Sequence, residues 1–299
     1  MIYALGPLLV GLHVPDEKVV NDLLVEVEDR IDTVSATATT ALHRLLDAPG
    51  EPPTLGDPLP PLWHWLTFLP DAAQCQLGQD GHPLGGAFMP VNRPPKRMFA
   101  GGRLSFDHAA FIGAPLRRYS RATSVAEKEG RTGNLLFVEI THEISTDDAT
   151  AVLDVQDIVY RGGDSGQSTS SADLAQSVAH DQWEWSYELD PSPPLLFRFS
   201  ALTYNAHRIH YDRPYASEVE GYQNLVVHGP LQAIALAEIC RRYTPERRMA
   251  SFDFRALRPA FAGTPLLLRG RPIDSNTVEL QAVSREHGVS MRATAVLAS

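Results

Sequence analysis

A short sequence motif occurs twice in this chain, at an offset of 150 residues (261 − 111). Ala-Phe-x-Gly-x-Pro-Leu is found at residues 110–116 and again at residues 260–266, and each copy leads into a strand-like run. Self-similarity of this kind indicates two similar structural units, although so short a match can also arise by chance. The similar position of the motif within each half favours a true repeat, so we expect two related modules.

A polar stretch divides the chain between the two copies. Residues 163–177 are rich in glycine, serine and threonine, a composition typical of a flexible linker. We therefore predict a first domain over residues 1–162, with an N-terminal extension over residues 1–20, and a second domain over residues 178–299. Residues 47–61 contain several prolines and predict a loop within the first half.

Both halves end in a predicted antiparallel hairpin, because runs rich in β-branched and aromatic residues flank a turn. Apolar residues at helical spacing predict one helix in each half. These features indicate an α+β fold in which a curved antiparallel sheet wraps a helix. The predicted strands cover residues 135–144, 151–160, 277–283 and 289–297, and the predicted helices cover residues 36–46 and 230–243.

Composition excludes several classes of function. The formal net charge of −10 argues against a nucleic-acid-binding protein, because phosphate recognition needs a basic surface. The only two cysteines, Cys75 and Cys240, lack the spacing of a thiolate metal site or a disulfide framework, which favours a reducing cytoplasm. No apolar run reaches the roughly 18 residues of a membrane span. The expected partners are small molecules or proteins.

Polar side chains precede the second predicted helix. Asn205 and His210 have a spacing that suits a loop and could bring an amide and an imidazole to one pocket. A neutral imidazole can take a proton from water near neutral pH, and an amide can hold that water without titrating. Alternatively, His207 and His210 only bond to their own loop. The pattern indicates acid–base chemistry and leaves the structural alternative open.

His228, Gly229 and Pro230 stand where this loop enters the helix. The Gly229 amide would be a free donor at the positive end of the helix dipole and could stabilise an oxyanion. A glycine needed only for the turn is the alternative. The spacing of His207 and His210 could also suit a metal, but no acidic or thiol ligand has a matching position, so we expect no metal.

The same residues resemble the signature of the MaoC-like, R-specific enoyl-CoA hydratases. Residues 205–212 read Asn-Ala-His-Arg-Ile-His-Tyr-Asp and residues 226–230 read Val-Val-His-Gly-Pro, where that family has Asp-x-Asn-Pro-(aliphatic)-His and Val-His-Gly. The family's histidine falls on His210 and its catalytic aspartate falls on Asn205. This departure matters because an amide cannot carry a proton as a carboxylate can.

The resemblance is closer to a subfamily that itself reads Asn-x-His-Arg-Ile-His-Tyr-Asp. It comprises mitochondrial-type 3-hydroxyacyl-thioester dehydratases and bacterial mesaconyl-C4-CoA and itaconyl-CoA hydratases. The resemblance implies a tandem, or double, hot-dog fold, each half a curved antiparallel sheet around a helix, with the catalytic histidine in the second half. Matching first-half segments are residues 58–65, 98–103, 130–133 and 156–161.

The resemblance further implies a hydro-lyase that adds water to, or removes it from, an enoyl-CoA double bond. His210 is then the acid–base catalyst, Asn205 positions the water, and the Gly229 amide polarises the thioester carbonyl. Arg208 either meets a substrate carboxylate or pairs with Asp212 or Glu218. The candidate substrate-binding residues are His207, Arg208, Val227 and His228.

We expect an acyl-CoA substrate and no metal or redox cofactor, and the candidate assembly is a homodimer of double hot-dogs. Short branched or dicarboxylic substrates, such as mesaconyl-C4-CoA and itaconyl-CoA, are the first choice. The alternatives are a 3-hydroxyacyl-thioester dehydratase of fatty-acid metabolism, acting on CoA or acyl carrier protein, and a non-catalytic acyl-CoA-binding subunit.

Two further groups of residues have weaker signals. Aromatic residues beside prolines favour core packing over a place in an acyl pocket. Arginines after a helix suit its dipole, although they could also meet CoA phosphates. The first group is Trp63, His64 and Trp65, and the second is Arg241, Arg242, Arg247 and Arg248.

Overall fold

A computed structural model of the protein describes residues 23–90, 93–130, 133–147, 149–162 and 183–298. The predicted extension and linker, residues 1–20 and 163–177, lie outside the described residues. The described strands are β1 (Val27–Thr33), β2 (Lys96–Phe106), β3 (Pro115–Gly130), β4 (Gly133–Thr146), β5 (Ala149–Arg161), β6 (Trp185–Leu189), β7 (Met249–Ala256), β8 (Leu266–Pro272), β9 (Thr277–Ser284) and β10 (Gly288–Leu297).

These ten strands form one antiparallel sheet in the order β1-β3-β4-β5-β2-β7-β10-β9-β8-β6. From its outer edge inwards, the first half contributes β1, β3, β4, β5 and β2, and the second half contributes β6, β8, β9, β10 and β7. The two orders match strand for strand. The halves meet where β2 pairs with β7, with Gly102 opposite Phe254. The two predicted hairpins are confirmed as β4–β5 and β9–β10.

The repeated sequence motif has the same structure in both halves. Phe111 forms an isolated antiparallel bridge with Pro58, and Phe261 forms one with Val226. The glycine two residues later has a positive φ in each copy, 88° at Gly113 and 84° at Gly263. Glycine adopts this conformation without steric cost, which explains why it occurs in both copies. The second bridge anchors Val226, just ahead of the predicted active-site helix.

Three α-helices lie wholly within the described parts of the chain: α1 (Ala36–Leu45), α2 (Pro193–Leu202) and α3 (Gly229–Tyr243). The predicted helices correspond to α1 and α3. Ser35 caps α1, since its side chain accepts a hydrogen bond from the Ala38 amide at 3.1 Å. Helix α1 follows β1 as α2 follows β6, and the two helices pack against each other.

Helix α3 has no counterpart among the described residues of the first half. It packs on strands β6 to β10 and on β2, and every residue from Leu231 to Cys240 is buried. In the first half, the long connection from α1 to β2 contains only two short 3₁₀ helices, Trp63–Leu66 and Gln74–Gln76. The inner face of the first-half sheet is therefore left to line a cavity. No helix of the described residues is long and apolar enough to cross a membrane.

Candidate active site

A cavity of about 1020 Å³ lies between the two halves. First-half sheet residues such as Ile140 and Ile144 form one part of its wall. Five of the seven predicted site residues reach this wall, namely Asn205, His207, His210, Val227 and Gly229. The cavity therefore brings together residues from the two ends of the segment that connects α2 to α3.

The segment of residues 205–212, here termed the catalytic segment, follows α2 as an irregular turn. Tyr204 adopts a left-handed conformation with φ of 50°, which reverses the chain after the helix ends. A 3₁₀ turn, Arg208–His210, then presents the histidine. The Val226 amide donates to the Ile209 carbonyl at 2.9 Å, and so it ties the catalytic segment to the residues that lead into α3.

His210 has a defined tautomer. Its Nδ1 lies 2.7 Å from the carbonyl oxygen of Val226, which can only accept, so Nδ1 carries the proton and Nε2 has a free lone pair. Burial lowers the pKa of His210 to about 4, although the Val226 hydrogen bond acts in the opposite direction. The imidazole is therefore neutral at neutral pH, the form that a general base requires.

His228 lies behind His210 and does not reach the cavity wall. The two imidazoles stack with ring centroids 3.7 Å apart and planes 20° apart. Ser200 Oγ lies 2.9 Å from His228 Nε2, which holds the second ring in place from α2. Burial also lowers the pKa of His228 well below its usual value. Its predicted contact with substrate stays a prediction; in this geometry it orients His210.

Asn205 presents a donor to the cavity. Its Oδ1 accepts a hydrogen bond from the His207 amide at 3.0 Å, and only the side-chain oxygen can accept from a backbone N–H. The Nδ2 group therefore remains to donate to a molecule in the cavity. This assignment distinguishes Asn205 from a carboxylate, because it can hold a water oxygen but cannot remove its proton.

Gly229 begins α3, so its amide has no carbonyl acceptor within the helix. Its φ lies outside the left-handed range, and an added methyl group would meet Phe99 at an ordinary contact distance of 3.4 Å. Neither the backbone conformation nor the packing therefore demands a glycine here. What the missing side chain provides is access to the amide from the cavity. Val227, by contrast, donates its own amide to the Ala260 carbonyl at 2.8 Å.

The sequence left open whether Arg208 meets a substrate carboxylate or forms an ion pair. In the structure it forms an ion pair with Asp212. Its Nη2 lies 2.7 Å from Asp212 Oδ2, and the residue is not part of the cavity wall. Its Nη1 donates to the Gln79 carbonyl at 2.9 Å, and its backbone amide donates to the Asp80 carbonyl at 2.8 Å. Arg208 thus joins the two halves of the chain. Its predicted contact with a substrate carboxylate stays a prediction.

Comparison with known proteins assigns the family. The sequence model of hydroxyacyl-thioester dehydratase type 2, Htd2, matches residues 62–262. Over 273 residues the chain is 43% identical to the mesaconyl-C4-CoA hydratase of Chloroflexus aurantiacus, an overlap of 91% of this chain and 94% of that protein. The chain belongs to the hydroxyacyl-thioester dehydratase type 2 family. It is therefore a hydro-lyase of the hydratase/dehydratase type.

One further sequence relative agrees with this assignment, and two solved structures share the fold. The mitochondrial hydroxyacyl-thioester dehydratase type 2 of Schizosaccharomyces pombe is 39% identical over 94 residues, 31% of this chain and 30% of that protein. HtdX of Mycobacterium tuberculosis has a similar structure, with a TM-score of 0.63 at 14% identity over 90% of this chain and 99% of HtdX. Another M. tuberculosis protein with a double hotdog fold has a TM-score of 0.51 at 14% identity, over 91% of this chain and 96% of that one. The predicted tandem hot-dog fold is confirmed.

A loop of the first half also belongs to the candidate site. We did not predict this from the sequence. Residues 78–83 place His82 against His207, with ring centroids 4.0 Å apart. Asp80 Oδ2 lies 3.1 Å from His82 Nδ1, and Asp80 Oδ1 accepts from the His82 amide at 3.0 Å. The only sequence signal for this loop is that two residues capable of acid–base chemistry, Asp80 and His82, flank a glycine. Nothing in the sequence places this loop beside His207.

Gly81 shows how closely this loop approaches the catalytic segment. Its φ is +88°, and a methyl group added there would lie 1.8 Å from the carbonyl oxygen of Ala206. No side chain fits at this position, so the loop depends on glycine for its contact with the other half. Burial first, and then the nearby charges of His82 and His210, lower the pKa of His207. His207 is therefore a neutral ring between the two other histidines.

The ionisable side chains of the cavity wall are mainly positive, whereas the whole chain has a negative net charge. Among the described lining residues, Asp154 is the single carboxylate, whereas the guanidinium groups are those of Arg97, Arg118, Arg161 and Arg258. Asp154 Oδ2 accepts from Trp65 Nε1 and Gln156 Nε2, both at 2.8 Å. Such a wall suits an anionic ligand in a chain of net charge −10.

Of the two groups of residues with weaker sequence signals, only His64 and Trp65 of the first group reach the cavity wall. Trp63 is buried in the core, as expected, whereas His64 and Trp65 reach the cavity wall. The arginines near the end of α3 lie outside the wall and bond to the protein itself. Their partners are Glu238 for Arg241, the carbonyls of Leu46 and Asp47 for Arg242, those of Ser275, Leu297 and Ala298 for Arg247, and that of Phe106 for Arg248.

Proposed function

We propose that this dehydratase hydrates short enoyl-CoA thioesters whose acyl group carries a branch or a second carboxylate, such as mesaconyl-C4-CoA or itaconyl-CoA. The observation that carries the proposal is the placement of a free imidazole Nε2 at His210 and an accessible helix-start amide at Gly229 in one cavity. A hydration needs these two elements, a base for water and a donor for the oxygen of the thioester enolate.

The three catalytic residues have complementary roles. Asn205 Nδ2 donates to the oxygen of the water and orients it, while His210 Nε2 takes a proton from that water as its oxygen attacks C3. The Gly229 amide donates to the thioester oxygen, where negative charge develops. In the reverse direction, protonated His210 gives its proton to the leaving hydroxyl group. Both directions therefore use the same groups.

Two observations support this substrate class: the arginines of the cavity wall and the similarity to a mesaconyl-C4-CoA hydratase. The relative that is 43% identical over 273 residues acts on mesaconyl-C4-CoA. The arginine-rich wall would favour an acyl group with its own carboxylate as well as the phosphates of CoA. The reaction consists of the addition of the water oxygen to C3 and of proton transfers, and it needs no external oxidant or reductant, so we propose that no metal or redox cofactor takes part. A cytoplasmic location and a homodimer of double hot-dogs stay predictions.

Longer acyl thioesters are the second candidate. The cavity of about 1020 Å³ is at the upper end of the range of ligand sites and exceeds what a four-carbon acyl group fills. Part of its wall is apolar, with Phe88, Met89 and Ile140. A 3-hydroxyacyl-thioester dehydratase of fatty-acid metabolism would use this space for an acyl chain on CoA or acyl carrier protein.

A substrate panel distinguishes these readings. Loss of the enoyl-thioester absorbance is followed with mesaconyl-C4-CoA, itaconyl-CoA, crotonyl-CoA and a long-chain enoyl-CoA, and with the same long chain on acyl carrier protein. We expect kcat/KM to be at least tenfold higher for the two carboxylate-bearing substrates than for crotonyl-CoA. A preference for the long chain would contradict the first candidate and support the second. Binding of all thioesters without hydration would indicate a non-catalytic acyl-CoA-binding subunit.

A further inference from the structure

The proposed reaction lacks a defined source for the second proton. Hydration removes one proton from water and adds one to C2 of the acyl group. Asn205 cannot supply it, because an amide neither gains nor loses a proton in this pH range. His210 is a poor reservoir, since its burial disfavours the charged imidazolium. A group that holds a proton readily should therefore face the same cavity.

Asp80 and His82 form such a group on the first-half loop. The carboxylate of Asp80 can only accept, so His82 Nδ1 carries a proton and Nε2 is directed away from the carboxylate. No described residue bonds to this Nε2, and His82 is part of the cavity wall. The carboxylate partner therefore fixes the orientation of the His82 ring. The arrangement at His210 is different, because its Nδ1 faces a neutral carbonyl.

The contacts with the catalytic segment fix the position of His82. The His82 ring lies 4.0 Å from that of His207, which in turn lies 5.4 Å from that of His210. Burial alone would raise the pKa of Asp80, but the hydrogen bonds and charge of His82 outweigh it and lower that pKa. The ionisable groups that interact with His82 are Asp80 on its own loop and His207 and His210 from the second half. Tyr215 in turn interacts with Asp80, and Arg97 at the start of β2 interacts with His207.

We propose that His82, held by Asp80, is a second acid–base catalyst of the hydration and is supplied by the first half of the chain. This inference rests on the proposed function. The water oxygen forms the C3–O bond while His210 Nε2 takes a proton from that water, and the electron pair of the C2=C3 bond moves to the thioester oxygen. The enolate then returns the pair to C2, which takes the proton from His82 Nε2. Solvent water in the cavity carries a proton from His210 back to His82, so the net change is one added water.

His82→Ala tests this role together with His82→Gln, which retains most of the side-chain volume. We expect each to lower kcat for hydration about 100-fold, within the usual range for a general acid, with a KM near that of the wild type. Added imidazole should restore part of the activity of His82→Ala. Asp80→Asn should lower kcat less. His108→Ala is the control, because His108 is exposed and lies outside the cavity wall.

The outcomes separate this inference from the proposed function. Activity within threefold of wild type for both His82 variants would overturn it, and so would a loss that imidazole does not restore. The ligand-type atoms of Asp80, His82 and His207 lie within 4.8 Å of one another, so wild-type activity that is lost with a chelator and restored by Zn²⁺ would also overturn it. His210→Ala is measured in parallel. If the wild type hydrates none of the thioesters, the proposed function fails. If His210→Ala is active, the assignment of His210 as the base fails, and if it is inactive beside active His82 variants, only the role of His82 fails.

Discussion

At the scale of the residue, the hydrogen-bond partners of two side chains determine the chemistry. His210 donates a hydrogen bond from Nδ1–H to the Val226 carbonyl and keeps Nε2 as a base, and Asn205 Oδ1 accepts a hydrogen bond from the His207 amide, which leaves Nδ2 as a donor. Both assignments follow from partners that can act in only one way. The amide is thus suited to orient the water whose proton the imidazole removes.

Replacing the amide at position 205 tests this division of roles. Asn205→Ala removes the donor to water and leaves His210 in place, so we expect kcat for hydration to fall about 100-fold, as for a lost donor in a preorganised site. KM should change less than threefold, because the thioester contacts remain. Steady-state kinetics measure both parameters. A large rise in KM with kcat unchanged would instead indicate that Asn205 binds the acyl group.

At the scale of the element, the loop of residues 78–83 has to lie directly on the catalytic segment. Gly81 allows this contact, and Arg208 strengthens it through the carbonyls of Gln79 and Asp80. The sequence could not reveal such a contact. Periodic patterns of apolar residues predict helices and strands, as they did for α1, α3 and the two hairpins. A contact between two loops that are more than 120 residues apart in the sequence produces no such pattern.

Gly81→Ala tests the importance of this contact, and Gly56→Ala is its matched control. The two glycines have nearly the same φ, +88° and +86°, but an added methyl group meets the Ala206 carbonyl at residue 81 and open space at residue 56. Both variants should share the backbone strain of about 1 kcal/mol. Gly81→Ala should also lose at least tenfold in hydration rate and melt several degrees lower than Gly56→Ala. Equal activity of the two variants would contradict the account.

At the scale of the whole molecule, the two halves have matching strand order but different interiors. The second half fills its sheet with α3, and the first half leaves a cavity that is lined by residues of β4 and β5. The repeat motif predicted two related halves, and the sequence patterns predicted the hairpins β4–β5 and β9–β10. The missing helix was not predictable, because the sequence between α1 and β2 has several prolines and shows only that regular structure is interrupted there.

The buried histidines give the folded molecule a characteristic acid sensitivity. Burial lowers the pKa values of His142 and His210 to about 4, from the ordinary value of 6.5, and those of His207 and His228 in the same direction. Between these two pH values the unfolded chain binds more protons than the folded one, so stability rises with pH. Each such histidine contributes a slope of up to about 1.4 kcal/mol per pH unit.

Chemical unfolding at pH 7, 6 and 5 measures this slope. We expect the free energy of unfolding to fall steadily as the pH is lowered, and His142→Gln to make the slope shallower. Burial raises the pKa values of Glu238 and Asp253, which opposes the trend, but these two carboxyl groups act against five described histidines whose pKa burial lowers, since that of His43 is lowered too. His108→Gln is the control, because that side chain is exposed. A free energy of unfolding that does not change between pH 7 and pH 5 would show that these histidines are not buried as neutral rings.

The most direct test of the proposed catalytic mechanism is the hydration rate of His210→Ala with mesaconyl-C4-CoA, followed as the loss of the enoyl-thioester absorbance. The imidazole Nε2 is the group that takes the proton from water, so we expect kcat to fall by about 10³-fold or more, while the melting temperature shows that the variant still folds. Folded His210→Ala that hydrates at the wild-type rate would contradict the assignment of His210 as the catalytic base.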